Sequence, residues 1–114
     1  MAEDCLFCKI AAGEIPSDKV YSDEDFYAFR DIQPAAPTHV LIIPRKHIAT
    51  IADAAEEADL LGRLMLKAND VAKREGLVDK GFRCVLNYGE WGGQLVMHLH
   101  VHVLGGRVMA WPPG

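Results

Sequence analysis

An α+β fold, with a mainly antiparallel sheet covered on one face by a single long helix, is predicted by three features of this 114-residue sequence. Short β-rich runs lie towards both ends of the chain. One amphipathic stretch of helical period lies between them. The run His98-Leu99-His100-Val101-His102-Val103-Leu104 alternates imidazole with aliphatic side chains, the period of two that an extended strand converts into two faces. Three histidines then share one face, while Leu99, Val101 and Val103 turn to the helix. With 50% hydrophobic and 25% charged residues, the composition is globular and supports one domain over 1–114.

Taken in order, Cys5 to Ala12 is a short helix ended by Gly13 and Pro16, with Cys5 and Cys8 on one face. Val20-Tyr21 and Phe26 to Arg30 are strands of a hairpin around the polar turn Ser22-Asp23-Glu24-Asp25. In the next segment, 31–37, Pro34 and Pro37 lack backbone donors and exclude regular pairing, so a rigid loop is expected. His39 to Ile43 is a further strand that Pro44 stops. Ala54 to Glu75 is the long helix: Leu60, Leu61, Leu64, Met65, Ala68, Val71 and Ala72 recur at three- and four-residue steps, Asp53 can cap with Glu56, and Gly76 suits the stop. Phe82 to Asn87 alternates as a strand, and Tyr88 to Gln94 is a loop feeding the histidine strand. Cys84, in mid-strand, is expected as a small core residue. The tail, 107–114, is apolar and rich in proline, and the indole of Trp111 calls for a docking surface. A second copy of the chain would provide one.

A formal charge of -4, with no block of Lys or Arg, argues against nucleic-acid or anionic-membrane partners. Met1-Ala-Glu-Asp-Cys lacks the charged and apolar regions of a signal peptide, and no apolar run approaches the roughly 18 residues of a membrane span. A cytoplasmic protein is expected. Three cysteines cannot all pair, and two lie three apart, so a disulfide framework is a poor explanation for them.

At about 3.3 Å per residue, alternate histidines of a strand stand roughly 6.6 Å apart and the outer pair roughly 13 Å apart. One zinc ion, with N ligands at about 2.0–2.1 Å, cannot gather all three. The row reads as catalytic. An imidazole is a nucleophile near neutral pH when one nitrogen holds its proton in a fixed hydrogen bond and the other faces the electrophile. His100, central in the row, is the candidate, with the amides of Gly92-Gly93-Gln94 and the side chain of His102 as donors to a phosphate. Phosphoryl or nucleotidyl transfer fits such a set.

The run His98-Leu-His-Val-His-Val-Leu is similar to the signature of the histidine triad (HIT) family. Asp31-Ile32-x-Pro34, Ala36-Pro37-Thr38-His39, Ile43-Pro44-x-Lys46-His47, Gly92-Gly93-Gln94 and Trp111-Pro-Pro-Gly resemble its Hint branch. The resemblance implies a HIT-like five-stranded fold with one long and one short helix, a homodimer joining two sheets, and a purine nucleotide such as AMP on each protomer. In that branch the middle histidine attacks the α-phosphorus of a nucleoside 5'-phosphoramidate or acyl-nucleotide, and water then hydrolyses the nucleotidyl-histidine. On this match His100 is the nucleophile, His39 orients it, and His102 contacts the phosphate and leaving group. Asp31 would hold the ribose hydroxyls and Ile32 line the purine slot. Asn87, Gly93 and Gln94 fall at ribose and phosphate positions, and Trp111 at the tail position that approaches the partner's site. Leu95, also at a nucleotide-binding position, stands where many Hint proteins carry a serine, and it cannot donate a hydrogen bond.

Bacterial proteins resembling this chain can hold structural zinc with residues like Cys5, Cys8, His47 and His98, a Cys2His2 set suited to tetrahedral coordination. Such a metal would brace the start of the histidine strand, remote from the phosphate. Two alternatives stand beside the phosphoramidase reading. One is cleavage of dinucleoside polyphosphates, as in the related Fhit branch. The other is a nucleotide-sensing interaction module with little turnover.

Overall fold

In the computed structural model, which describes residues 4–114, five strands form one antiparallel sheet. They are β1 (Lys19–Ser22), β2 (Phe26–Arg30), β3 (Thr38–Pro44), β4 (Arg83–Val85) and β5 (Val101–Gly105), in the order β1-β2-β3-β5-β4. Three helices accompany them: α1 (Leu6–Ala11), α2 (Ala58–Arg74) and α3 (Gly89–Gly92). The reading of the extreme N-terminus rests partly on residues 1–3, which lie outside the described residues. No helix among those described is long and apolar enough to cross a membrane.

Strand alternation sorts the side chains into two cores. Phe26 and Ala28 of β2, Val40 and Ile42 of β3, and Val101 and Val103 of β5 pack with Leu60, Leu64, Ala68, Val71 and Ala72 of α2. The intervening Phe29, Leu41 and Ile43 pack on the opposite face with Phe7 and Ile10 of α1. Leu64 is 1% exposed, and burying a leucine of this kind contributes about 1.5–3 kcal/mol. The sheet is thus covered on both faces, not one. The second cover, α1, leaves room beside it for a ligand.

The helix expected from Ala54 begins four residues later, at Ala58. Asp53 caps nothing in it: its carboxylate accepts from the Thr50 hydroxyl at 2.7 Å and belongs to a separate 3-10 turn, Ile51–Asp53. The other end matches expectation. The amide of Gly76 donates to Lys73 O at 3.1 Å and that of Leu77 to Ala72 O at 2.9 Å, a Schellman closure that Gly76 permits with φ of 73°. The strand expected over Phe82 to Asn87 is ladder-paired only through Arg83–Val85, and the loop after it contains the one-turn α3.

The histidine run also departs from its expected form. β5 starts only at Val101, so His98 and His100 precede the strand. The cause is local: His98 Nε2 donates to Pro44 O at 2.7 Å, and His100 Nδ1 turns back to His98 O at 2.6 Å, bonds that bend the chain away from ladder geometry. His98 is fully buried, and His39 and His100 nearly so. Leu99, Val101 and Val103 do face α2, as the alternation predicts.

Candidate active site

β3 and β5 are neighbours in the sheet, with Leu41 opposite His102 and His39 opposite Leu104. His39 and His102 therefore lie diagonally on one face, their rings 5.1 Å apart. His100 follows His102 at 5.0 Å between ring centroids. Beside them a cavity of about 400 Å³ opens between α1 and the sheet, within the usual size of small-molecule sites. Its wall is mostly apolar, with Leu6, Phe7, Ile10, Phe29, Ile32, Leu41 and Leu95, and its polar lining includes His100, His102 and Asp31 together with Ser17, Arg30 and Gln33.

Hydrogen bonds assign each imidazole its proton. The Ala35 amide donates to His39 Nδ1 at 3.0 Å, so a neutral His39 carries its hydrogen on Nε2. That hydrogen goes to His102 Nδ1 at 2.9 Å, which places the proton of His102 on Nε2. His102 Nε2 is buried and has no partner among the described residues. It is a donor waiting for an acceptor. His100 is set the other way: its Nδ1–H donates to His98 O, leaving the Nε2 lone pair free on a residue that lines the cavity.

Burial keeps these rings neutral. It pulls His102 down to about 4, aided by the neighbouring His100 and His39 and opposed by Asp31. It lowers His100 too, against the bond to the His98 carbonyl and the charge of Asp31, and it lowers His39 against Asp31 alone. Asp31 Oδ2 lies 3.5 Å from His39 Nε2, while its Oδ1 accepts from the Gln33 amide at 2.8 Å. Asp31, His39 and His102 offer ligand atoms within 4.8 Å of one another. As a metal site they do not fit, because the Ala35 amide claims the Nδ1 lone pair of His39 and forces the proton onto the nitrogen that would have to ligate.

A second cluster fits a metal well. Sulfur atoms of Cys5 and Cys8 and the Nδ1 atoms of His47 and His98 all lie within 4.8 Å of one another. Cys5 Sγ and His98 Nδ1 are 3.2 Å apart, Cys8 Sγ is 3.4 Å from both imidazoles, and the two imidazole nitrogens are 3.2 Å apart. Tetrahedral zinc at ordinary bond lengths separates N from N, or N from S, by about 3.3–3.6 Å. His98 is also in the required tautomer, since its Nε2–H is spent on Pro44 O and Nδ1 is left as the ligand. The three cysteines are free thiols, and Cys84 packs against the α2-side core as expected.

The remaining expected residues divide. Asp31, Ile32, Gly93 and Leu95 line the cavity; Asn87, Gln94 and Trp111 do not. Gln94 is buried with its side-chain amide donating to Ala49 O and Val96 O, so it holds the loop rather than facing the cavity. The amides of Gly93 and Gln94 are likewise committed, to Glu90 O and Gly89 O at the end of α3. His39 bonds His102 and not His100, whose orientation comes from the His98 carbonyl. Trp111 is 80% exposed and lies near Arg83, which donates to Ala110 O. Sequence reasoning missed the cavity wall of α1, although Leu6, Phe7 and Ile10 at helical spacing carried the signal. It also missed Ala35, whose contribution is a backbone amide.

The HIT domain model matches residues 12–109 of the chain. An uncharacterised HIT-like protein of Synechococcus elongatus is 52% identical over 115 residues, covering 100% of both chains. The purine nucleoside phosphoramidase of Escherichia coli K12 is 50% identical over 108 residues, 94% of this chain and 91% of that protein. Among solved structures, a HIT family hydrolase from Legionella pneumophila superposes with a TM-score of 0.95 at 54% identity, covering 97% of this chain and 100% of the other.

Proposed function

As the chain belongs to the HIT domain family, we propose that it is a hydrolase of purine nucleoside 5'-phosphoramidates and acyl-nucleotides, working through a nucleotidyl intermediate on His100 and releasing AMP or its purine analogue. The observation that carries this reading is the 2.6 Å bond from His100 Nδ1 to His98 O, which leaves a neutral Nε2 lone pair at the cavity. The purine lies in the apolar slot between α1 and Ile32, and the ribose hydroxyls meet Asp31. His100 Nε2 attacks the α-phosphorus and the P–N bond breaks. His102 Nε2–H donates a hydrogen bond to a phosphoryl oxygen, and His39 Nε2–H, bonded to His102 Nδ1, steadies the ring; the departing nitrogen takes its proton from a water molecule. The hydroxide so formed attacks phosphorus, the bond to His100 Nε2 breaks, and the nucleotide leaves.

Similarity to the E. coli phosphoramidase supports the P–N reading over polyphosphate cleavage or a pure sensor. The unpartnered His102 donor supports turnover as well. Cys5, Cys8, His47 and His98 would hold zinc, which when bound closes four side chains from three distant segments into one rigid brace. A homodimer would cover Trp111 and bring it to the partner's cavity, and free thiols accord with a cytoplasmic setting.

The test is incubation with an adenosine phosphoramidate, acid-free quenching and peptide mapping by mass spectrometry. Adenylate on His100 is expected. His100→Ala should lose turnover by about three orders of magnitude or more and keep AMP affinity within about tenfold, because base and ribose contacts remain. Adenylate on His102, or turnover by His100→Ala near the normal rate, overturns the assignment.

A further inference from the structure

The short helix α1 serves both clusters at once. Cys5, its N-cap, and Cys8, in its first turn, deliver two sulfurs to the Cys–His set, while Leu6, Phe7 and Ile10 form a wall of the cavity. Six residues make too short a helix to hold itself together, so its place depends on its anchors. Those anchors are the packing of Phe7 and Ile10 on the sheet and the two cysteines.

Two contacts lead from the cluster to the nucleophile. Phe7 meets the His100 ring edge-to-face at 5.1 Å between centroids and lies 6.1 Å from that of His98. His98 gives its Nδ1 to the cluster and its backbone carbonyl to His100 Nδ1. The Cys–His set and the cavity therefore share a wall and a backbone carbonyl.

We propose that metal occupancy of the Cys5–Cys8–His47–His98 cluster and nucleotide occupancy of the cavity are thermodynamically coupled, with α1 as the wall that the metal latches. This rests on the zinc and nucleotide readings above. With the cluster empty, a thiol is a weak hydrogen-bond donor and α1 is held mainly by two apolar side chains. Part of the binding free energy of a nucleotide is then spent on ordering that wall. With the cluster filled, the wall is already in place and the nucleotide binds tighter. Linkage requires the reverse to the same factor: a nucleotide tightens the metal.

The experiment uses AMP, so no turnover enters. Calorimetry gives the AMP Kd of zinc-loaded and chelator-stripped protein, and competition with a chromophoric chelator gives the zinc Kd with and without saturating AMP. A factor of about tenfold, equal in both directions, is expected. Should the stripped protein unfold, metal release from the folded, loaded protein into excess chelator replaces the first arm, and AMP should slow it by a similar factor. Zinc and AMP both bound but independent within twofold overturns the coupling and leaves both readings standing. No zinc bound, or no AMP bound, overturns the coupling together with the reading concerned.

Discussion

Protonating His102 would place a cation between two imidazoles and an apolar wall, which is why burial, with His100 and His39, holds it near 4 against an ordinary 6.5. Between those values the unfolded chain binds the proton and the folded chain does not. Stability is therefore fully present above the ordinary value and falls as pH drops from 6.5 towards about 4. His39, His98 and His100 are shifted in the same direction and add to the slope. Urea midpoints measured from pH 7.5 to 4.5 should decline in this window, and His102→Gln should flatten part of the decline. An unchanged midpoint contradicts the buried neutral rings. His39 offers a second check: His39→Gln can still donate to His102 Nδ1, whereas His39→Leu cannot, and the loss of one buried hydrogen bond corresponds to about tenfold. We expect kcat of the glutamine variant to exceed that of the leucine variant by about that factor at similar KM. The alternation 98–102 made the histidines legible in the sequence. Their bonding was not, because the bends at His98 and His100 come from Pro44 and His98 carbonyls, and backbone groups leave no trace in side-chain pattern.

At the scale of elements, glycines separate strain from crowding. Gly76 closes α2 with φ of 73° and has open space around it, so Gly76→Ala should cost about 1 kcal/mol from backbone strain alone. Gly106 follows β5 with φ of 93°, and an added Cβ would also lie 2.8 Å from Pro37 Cβ, a rigid ring in the loop after β2. Gly106→Ala should cost about 2–3 kcal/mol, strain and overlap together. Denaturant titration checks the order, and the two costs become equal if the Pro37 loop yields freely. The end of α2 was legible from Gly76 because a positive φ has a strong residue preference. Its start was not, since the Asp53/Glu56 pattern of a helix cap was captured by Thr50 one turn early. The β1–β2 hairpin was legible from the polar turn between its strands, while β4 is shorter than its pattern because only three of its residues meet β5.

For the whole molecule, Ile32, Trp91, Leu95, Val108 and Trp111 stand out, each at least 80% exposed. Free indoles at this exposure favour burial by a second copy. Sedimentation should give a dimer, and deleting residues 109–114 should change which amine leaving groups are accepted more than it changes the unfolding midpoint. Equal losses on small and large amines, tracking a loss of stability, contradict a tail shared between sites. The packing of α2 on one face of the sheet was legible from periodicity, and the cover of the other face by α1 was not. The Cys–His cluster was legible only as ligand types, since Cys5 and His98 lie 93 residues apart and meet through the sheet order rather than any local spacing. The resemblance supplied the pairing that composition could not.

The amide of Ala35 has one further consequence. Every non-proline residue carries the same N–H, and the Ala35 side chain is exposed, so the information at this position is a single bit: proline or not proline. A saturation library at 35 should show near-uniform activity across its polar, charged and apolar members, with proline alone falling out. The wiring of two histidines would then be written in a place that residue identity hardly encodes, and that amide, never titrating in water, would hold it at every pH the fold survives.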